Sequence, residues 1–118
     1  MKVLVCGGRD YPAEAVWQYL EHCAPAELGA RITVLLHGGA TGADQAAAEW
    51  AKRSAAEGVK AVAYPANWRR FGKRAGPLRN QRMLDEGRPE AVIAFAGGRG
   101  TADMVSRAEA GGVRVIRA

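Results

Sequence analysis

Five short apolar runs, each parted from the next by a longer segment of helical period, constrain this 118-residue chain more than any other feature. The runs are Lys2–Cys6, Ile32–His37, Lys60–Tyr64, Ala91–Phe95 and Val113–Arg117. Strands that alternate with helices in this way pair in parallel, because each helix carries the chain back across the sheet before the next strand begins. The expected fold is therefore α/β: a doubly wound, five-stranded parallel sheet in the order 3-2-1-4-5, with right-handed crossovers and helices on both faces. With 118 residues, 48% of them apolar, one domain spanning 1–118 can bury a core of its own.

The helical segments are legible from their spacing. From Ala13 to Leu28, Val16, Trp17, Leu20, Cys23 and Ala24 recur on one face, and Gly29 ends the segment. A second helix over Gly42–Glu57 is rich in alanine, with Trp50 as its large apolar group and Gly58 as its stop. A third is expected over Pro77–Glu86 and a fourth over Gly100–Ala110, before Gly111 and Gly112. Cys6 falls in a strand and Cys23 in a helix, so two buried, reduced thiols are expected, with neither a disulfide framework nor a metal site.

Parallel pairing brings the loops that follow the strands to one edge of the sheet. Three of those four loops are glycine-rich: Gly7-Gly8-Arg9-Asp10, Gly38-Gly39-Ala40-Thr41-Gly42 and Gly97-Gly98-Arg99-Gly100-Thr101. Each opens a helix, whose free N–H groups and dipole favour an anion, so the shared edge is a candidate phosphate site. None has the P-loop spacing or the dinucleotide fingerprint, which disfavours ordinary NTPases and dehydrogenases. Thr41 and Asp44 stand at the spacing of a capping box, and Thr101 is placed to cap the fourth helix. Asp10 and Asp44 have the alternative of accepting hydrogen bonds from ribose hydroxyls.

The remaining loop, Pro65 to Asn80, is too long and polar for a plain connector. Trp68 and Phe71 stand among guanidinium groups there, a pairing that stacks on a base and grips a phosphate, unless the aromatics pack beneath the loop or at a subunit contact. Pro77 places Arg79 in the first turns of a helix, facing the shared edge as a charged clamp. The formal charge is +5, and Gly58–Leu84 carries seven cations and no acid, so the partner expected is anionic. No run is long enough to span a membrane and no signal-type segment opens the chain, so a cytoplasmic protein is expected.

Taken together, these pieces resemble the SLOG superfamily of Rossmann-like nucleotide-ligand domains, and within it the YspA-like branch. The matching pieces are Val5–Tyr11, His37–Asp44, Pro65 and Trp68 through Gly72, Ala75-Gly76-Pro77, Arg79-Asn80 with Met83, and Ala94–Thr101. The resemblance implies a ligand class: a phosphate-bearing nucleotide or nucleotide-derived molecule, held by Gly7, Gly8, Arg9, Asp10, Gly38, Gly39, Thr41, Gly42, Asp44, Trp68, Arg79, Asn80, Gly97, Gly98, Arg99, Gly100 and Thr101. LOG-type phosphoribohydrolases in this superfamily carry Pro-Gly-Gly-x-Gly-Thr-x-x-Glu with a catalytic glutamate. Here Ala96 replaces the proline and Met104 the glutamate, and a methionine handles no proton.

Binding or sensing is thus the leading expectation, with no catalytic residue and no cofactor assigned. A LOG-like N-glycosidic hydrolase using Asp10, Asp44 or Asp103 is the alternative. Binding of single-stranded nucleic acid, as in the related DprA-type proteins, is the third. A homodimer is expected, with Trp17 or Trp68 at its interface.

Overall fold

A computed structural model describes residues 1–118. Its sheet contains β1 (Lys2–Cys6), β2 (Val34–His37), β3 (Lys60–Ala63), β4 (Ala91–Ala94) and β5 (Arg114–Arg117), in the order β3-β2-β1-β4-β5. All four pairings are parallel. The strand order and parallel pairing expected from the alternation are those observed. β1 keeps the bounds of its apolar run, and the other four strands are one or two residues shorter than theirs.

Period-two alternation sorts the side chains of β1 and β4 between two cores. Val3 and Val5 of β1, with Ile93 of β4 and Phe95 just beyond it, face one side; Leu4, Cys6, Val92 and Ala94 face the other. The first side is covered by α1 (Ala13–Gln18), a π-helical turn (Tyr19–Cys23), α2 (Ala24–Leu28) and α3 (Ala43–Arg53). On the second side lie α5 (Ala75–Gly87) and α6 (Arg99–Ala110), which contribute Met83, Met104, Val105 and Ala108. A short α4 (Trp68–Phe71) precedes α5. No helix is long and apolar enough to cross a membrane.

One expectation about the first helical segment needs correcting. Val16, Leu20 and Ala24 are buried as their spacing requires, but Cys23 is exposed. Pro25 has no N–H to donate to the carbonyl four residues back, and the helix widens into a π turn just before it. The extra residue per turn rotates Cys23 off the apolar face. Trp17 is half-buried: its indole N–H donates to the Ala46 carbonyl at 2.9 Å, and Arg53 lies 4.1 Å over its ring.

The other helix ends also shift for local reasons. The Ala-rich helix ends at Arg53, and a 3-10 turn over Ala55–Glu57 carries the chain to Gly58, whose φ is +89°. Pro77 lies inside the first turn of α5 rather than opening it, where its missing N–H has no helical partner to lose.

Two positive-φ glycines, Gly58 at the end of one element and Gly42 at the start of another, differ in what surrounds them. A Cβ on Gly58 would meet nothing within 4 Å, whereas one on Gly42 (φ +77°) would run into the backbone carbonyls of Gly8 and Arg9. Gly58→Ala should therefore cost only the left-handed backbone penalty, about 1–2 kcal/mol. Gly42→Ala should cost more than about 3 kcal/mol, since strain and overpacking act together. Urea unfolding of the two variants checks the difference.

Candidate functional site

The helices that follow β1 and β4 leave toward opposite faces, so a crevice opens between the carboxyl ends of these adjacent strands. The loop after β1 is gripped from both sides. Its Gly8 N–H donates to the Ala96 carbonyl at 3.0 Å, and its Gly8 carbonyl accepts from the Ala43 N–H at 3.1 Å. Gly97 lies so close that a Cβ there would strike Thr101 Oγ1 and the Gly8 amide nitrogen. Gly7, Gly42 and Gly97 thus serve loop-to-loop packing, and none of the three side-chain positions has room for a methyl group.

At the second loop three backbone amides are already taken by side chains of the chain itself. Asp44 Oδ2 accepts from the Gly38 N–H (2.9 Å) and the Ala40 N–H (3.3 Å), and His37 Nδ1 accepts from the Gly39 N–H (3.1 Å). No capping box forms: the residue capping α3 is Gly42, Thr41 is exposed, and Asp44 reaches back past both. Burial raises the Asp44 carboxyl above its ordinary value, against the pull of the Ala40 and Gly38 amides and the Arg79 cation.

The fourth loop stands in contrast. α6 starts at Arg99 after Gly98, so Thr101 lies within its first turn and does not cap it. The N–H groups of Gly98, Arg99, Gly100 and Thr101 have no backbone acceptor, as expected at a helix start.

A cavity of about 550 Å³ opens against these groups. Val5, Cys6 and Met83 line its apolar part, and Gly7, Gly8, Ala40 and Asp44 its loop side. Gly98 through Thr101 form the helix-start side, and Arg9, Lys73, Arg79 and Arg99 bring positive charge. Trp68, 51% exposed, borders it while its ring edge rests on Gly76 at the start of α5.

Arg79 is tied down as well as charged. Its Nη1 donates to the Gly38 carbonyl (2.6 Å) and the Tyr64 carbonyl (3.2 Å), and its Nε donates to Asn80 Oδ1 (3.0 Å). Asn80, only 4% exposed, passes its own N–H groups to the Gly100 carbonyl (3.3 Å) and Asp103 Oδ2 (2.9 Å). Asp103 also accepts from Arg107 Nε at 2.9 Å. Burial lowers the Arg79 pKa, with Asp44 opposing that shift and Arg9 adding to it.

Of the expected site residues, the cavity brings together Gly7, Gly8, Arg9, Asp44, Trp68, Arg79, Asn80, Gly98, Arg99, Gly100 and Thr101. Asp10, Gly38, Gly39, Thr41, Gly42 and Gly97 do not line it: Asp10 and Thr41 point to solvent, and the glycines shape the loops behind it. Cys6, Lys73 and Asp103 line it without having been singled out for binding. Strand alternation and the basic run hint at the first two; Asp103 enters the sequence reading only as a carboxylate of the hydrolase alternative, and the α6 register puts it on the cavity wall. Burial and the nearby Asp44 push the Cys6 thiol up to about 12, so it is an apolar wall and no nucleophile.

Residues 1–71, which contain the first two loops and Trp68, match the YspA, cpYpsA-related SLOG family. This chain belongs to that family. The SLOG domain is also 37% identical over 123 residues to the Gene 61 protein of Mycobacterium phage D29, an alignment that takes in 98% of this chain and 94% of the phage protein. That likeness extends through the fourth loop and α6. Met104, at the LOG glutamate position, is 1% exposed in the core beside Val105 and Ala108, and it does not line the cavity of this SLOG domain.

Two predictions follow from buried groups. His37 is buried with Nδ1 accepting a hydrogen bond, which requires that nitrogen unprotonated; burial first, and then Arg79, lower its pKa from the ordinary 6.5. A depressed folded-state pKa gives a stabilising contribution that is complete above 6.5 and lost as pH falls through the folded value. Between pH 7 and pH 5, urea unfolding should show less loss of stability in His37→Asn, which keeps an acceptor, than in the parent chain. Met104→Glu should bury a carboxyl without a partner and cost roughly 4 kcal/mol or more at pH 7. The ionisation part of that cost should disappear below about pH 4.3, where the unfolded chain is protonated too, leaving the smaller cost of a neutral carboxyl buried without a hydrogen-bond partner. Thermal unfolding across this range checks the sign, and the variant should release no base from nucleoside monophosphates.

Proposed function

We propose that this domain binds a phosphate-bearing nucleotide-type small molecule in the crevice between β1 and β4. The observation that carries the reading is the unpaired start of α6 opening into a cavity with four cations, Arg9, Lys73, Arg79 and Arg99. A phosphate on the Gly98–Thr101 amides would meet both the helix dipole and this charge. Trp68 offers a base an exposed ring at the mouth, and a cavity of about 550 Å³ suits a ligand of that size. Family membership supports a nucleotide-related ligand in general.

Binding rather than cleavage is the activity proposed. The two carboxylates lining the cavity both carry hydrogen bonds that hold the loops and helices together, Asp44 to two amides and Asp103 to Asn80 and Arg107. The glutamate position is a core methionine.

Calorimetric titration with AMP and with adenosine tests the reading. AMP should bind and adenosine should bind at least about tenfold more weakly, the contribution of charged hydrogen bonds to one phosphate. Arg99→Ala should lose roughly 1.5–3 kcal/mol of AMP binding, and Trp68→Ala about 1–3 kcal/mol through lost stacking. Arg99 and Trp68 are the informative positions because both are exposed, whereas Arg79→Ala would also unfasten Gly38 and Tyr64. Equal affinity for AMP and adenosine, or an Arg99→Ala chain that binds AMP like the parent, would sink the phosphate assignment. Base release from AMP above background would replace binding with hydrolysis.

A further inference from the structure

Two helices start at this crevice, and they are not equivalent. At α6 the first amides are unpartnered, while at the loop before α3 Asp44 takes the Gly38 and Ala40 amides, His37 that of Gly39 and the Gly8 carbonyl that of Ala43, leaving the amides of Thr41 and Gly42, which do not line the cavity, and of Asp44 and Gln45 without an acceptor. The carboxylate stands where an anionic ligand group would otherwise sit on that loop. Arg79, the cation nearest the loop, is committed to the Gly38 carbonyl on the same side. Asp44 uses one oxygen for all of this. Its Oδ1 meets no protein donor, and the side chain, 6% exposed, lines the cavity.

We propose that Asp44 is a specificity-determining residue, a built-in anion that closes the second loop to phosphate and offers its free oxygen to a ligand hydroxyl. The cavity then accepts a molecule with one phosphate end and one hydroxyl-bearing end: a ribose phosphate or ribonucleoside monophosphate, its phosphate on α6 and its sugar hydroxyls toward α3. The inference rests on the nucleotide-binding reading and names the orientation and substrate class within it. A ligand with phosphate at both ends would bring its second anion against the Asp44 carboxylate, a like charge already seated on the Gly38 and Ala40 amides, and would be rejected. A ligand stripped of its hydroxyls would leave Oδ1 desolvated without a donor.

Binding of four probes reads this directly. The parent chain should bind AMP at least about tenfold more tightly than 2′,3′-dideoxy-AMP, and ribose 5-phosphate at least about tenfold more tightly than ribose 1,5-bisphosphate. Asp44→Asn keeps the size of the side chain and an acceptor for the Gly38 and Ala40 amides but removes the charge. It should narrow the preference against the bisphosphate to within about threefold, or invert it. A parent chain that binds AMP and its dideoxy form alike overturns the proposal without any variant, as does an Asp44→Asn chain that still rejects the bisphosphate as strongly as the parent. In both cases AMP binding itself persists, so the nucleotide reading stands while the role of Asp44 falls. A parent chain that binds neither AMP nor ribose 5-phosphate removes both.

Discussion

The grip on Gly8 is the contact on which the rest of the site depends. Its amide and its carbonyl are bonded in opposite directions, to Ala96 after β4 and to Ala43 at the start of α3. A single residue thereby holds three loops in register, and a glycine is needed at Gly42 and Gly97 because the backbones come too close for a side chain. Behind this junction Phe95 is packed between Tyr11 and Tyr19, with ring centroids 5.1 Å and 5.6 Å away, which ties the loop after β1 to the larger of the two cores. The crevice is therefore a rigid consequence of sheet packing. Its opening exists because the helices after β1 and β4 diverge from this one junction.

Electrostatics divide the crevice into two halves of different character. One half is self-neutralised: Asp44 supplies the negative charge that the α3 start and Arg79 attract, and it is held in place although burial disfavours its ionised form. The other half is left positive, with α6 amides and Arg99 facing outward. A chain of polar contacts connects the halves, from Gly38 through Arg79 and Asn80 to Asp103 and Arg107. It runs from α5 to α6 across the smaller core, so the second loop and the start of α6 are coupled through fixed side chains. This network explains why Arg79 and Asn80 matter even before any ligand is considered: both bear weight in the packing of α5.

The helix register of α6 accounts for the fate of the glutamate position. Thr101 and Asp103 turn toward the cavity, and Met104 turns into the core with Val105 and Ala108. Consecutive residues on a helix are about 100° apart, so one step in sequence carries a side chain from the cavity side to the interior. An apolar residue at that step completes the packing under β4, and the cavity wall is left without a carboxylate free of structural bonds.

Periodicity by itself determined a great deal here. The five apolar runs dictate strands, their separation by helical segments dictates parallel pairing, and the parallel sheet dictates that Gly7, Gly38 and Gly97 share an edge, because these rules act on spacings along the chain. The basic run and Trp68 were likewise readable as a surface for an anion. What tertiary structure decided was the use to which each glycine loop is put. Three loops of similar composition read alike in sequence, yet one is a packing junction, one is plugged by Asp44 and one is open, since that depends on which amides find acceptors across the fold. Cys23 left the apolar face because Pro25 disturbs helix geometry two residues away, and α6 starts at Arg99 with Thr101 inside its first turn and Asp103 lining the cavity. Spacing fixes which elements form and in what order they pair; only three-dimensional contact fixes which polar groups remain unsatisfied, and those are the groups a ligand can use.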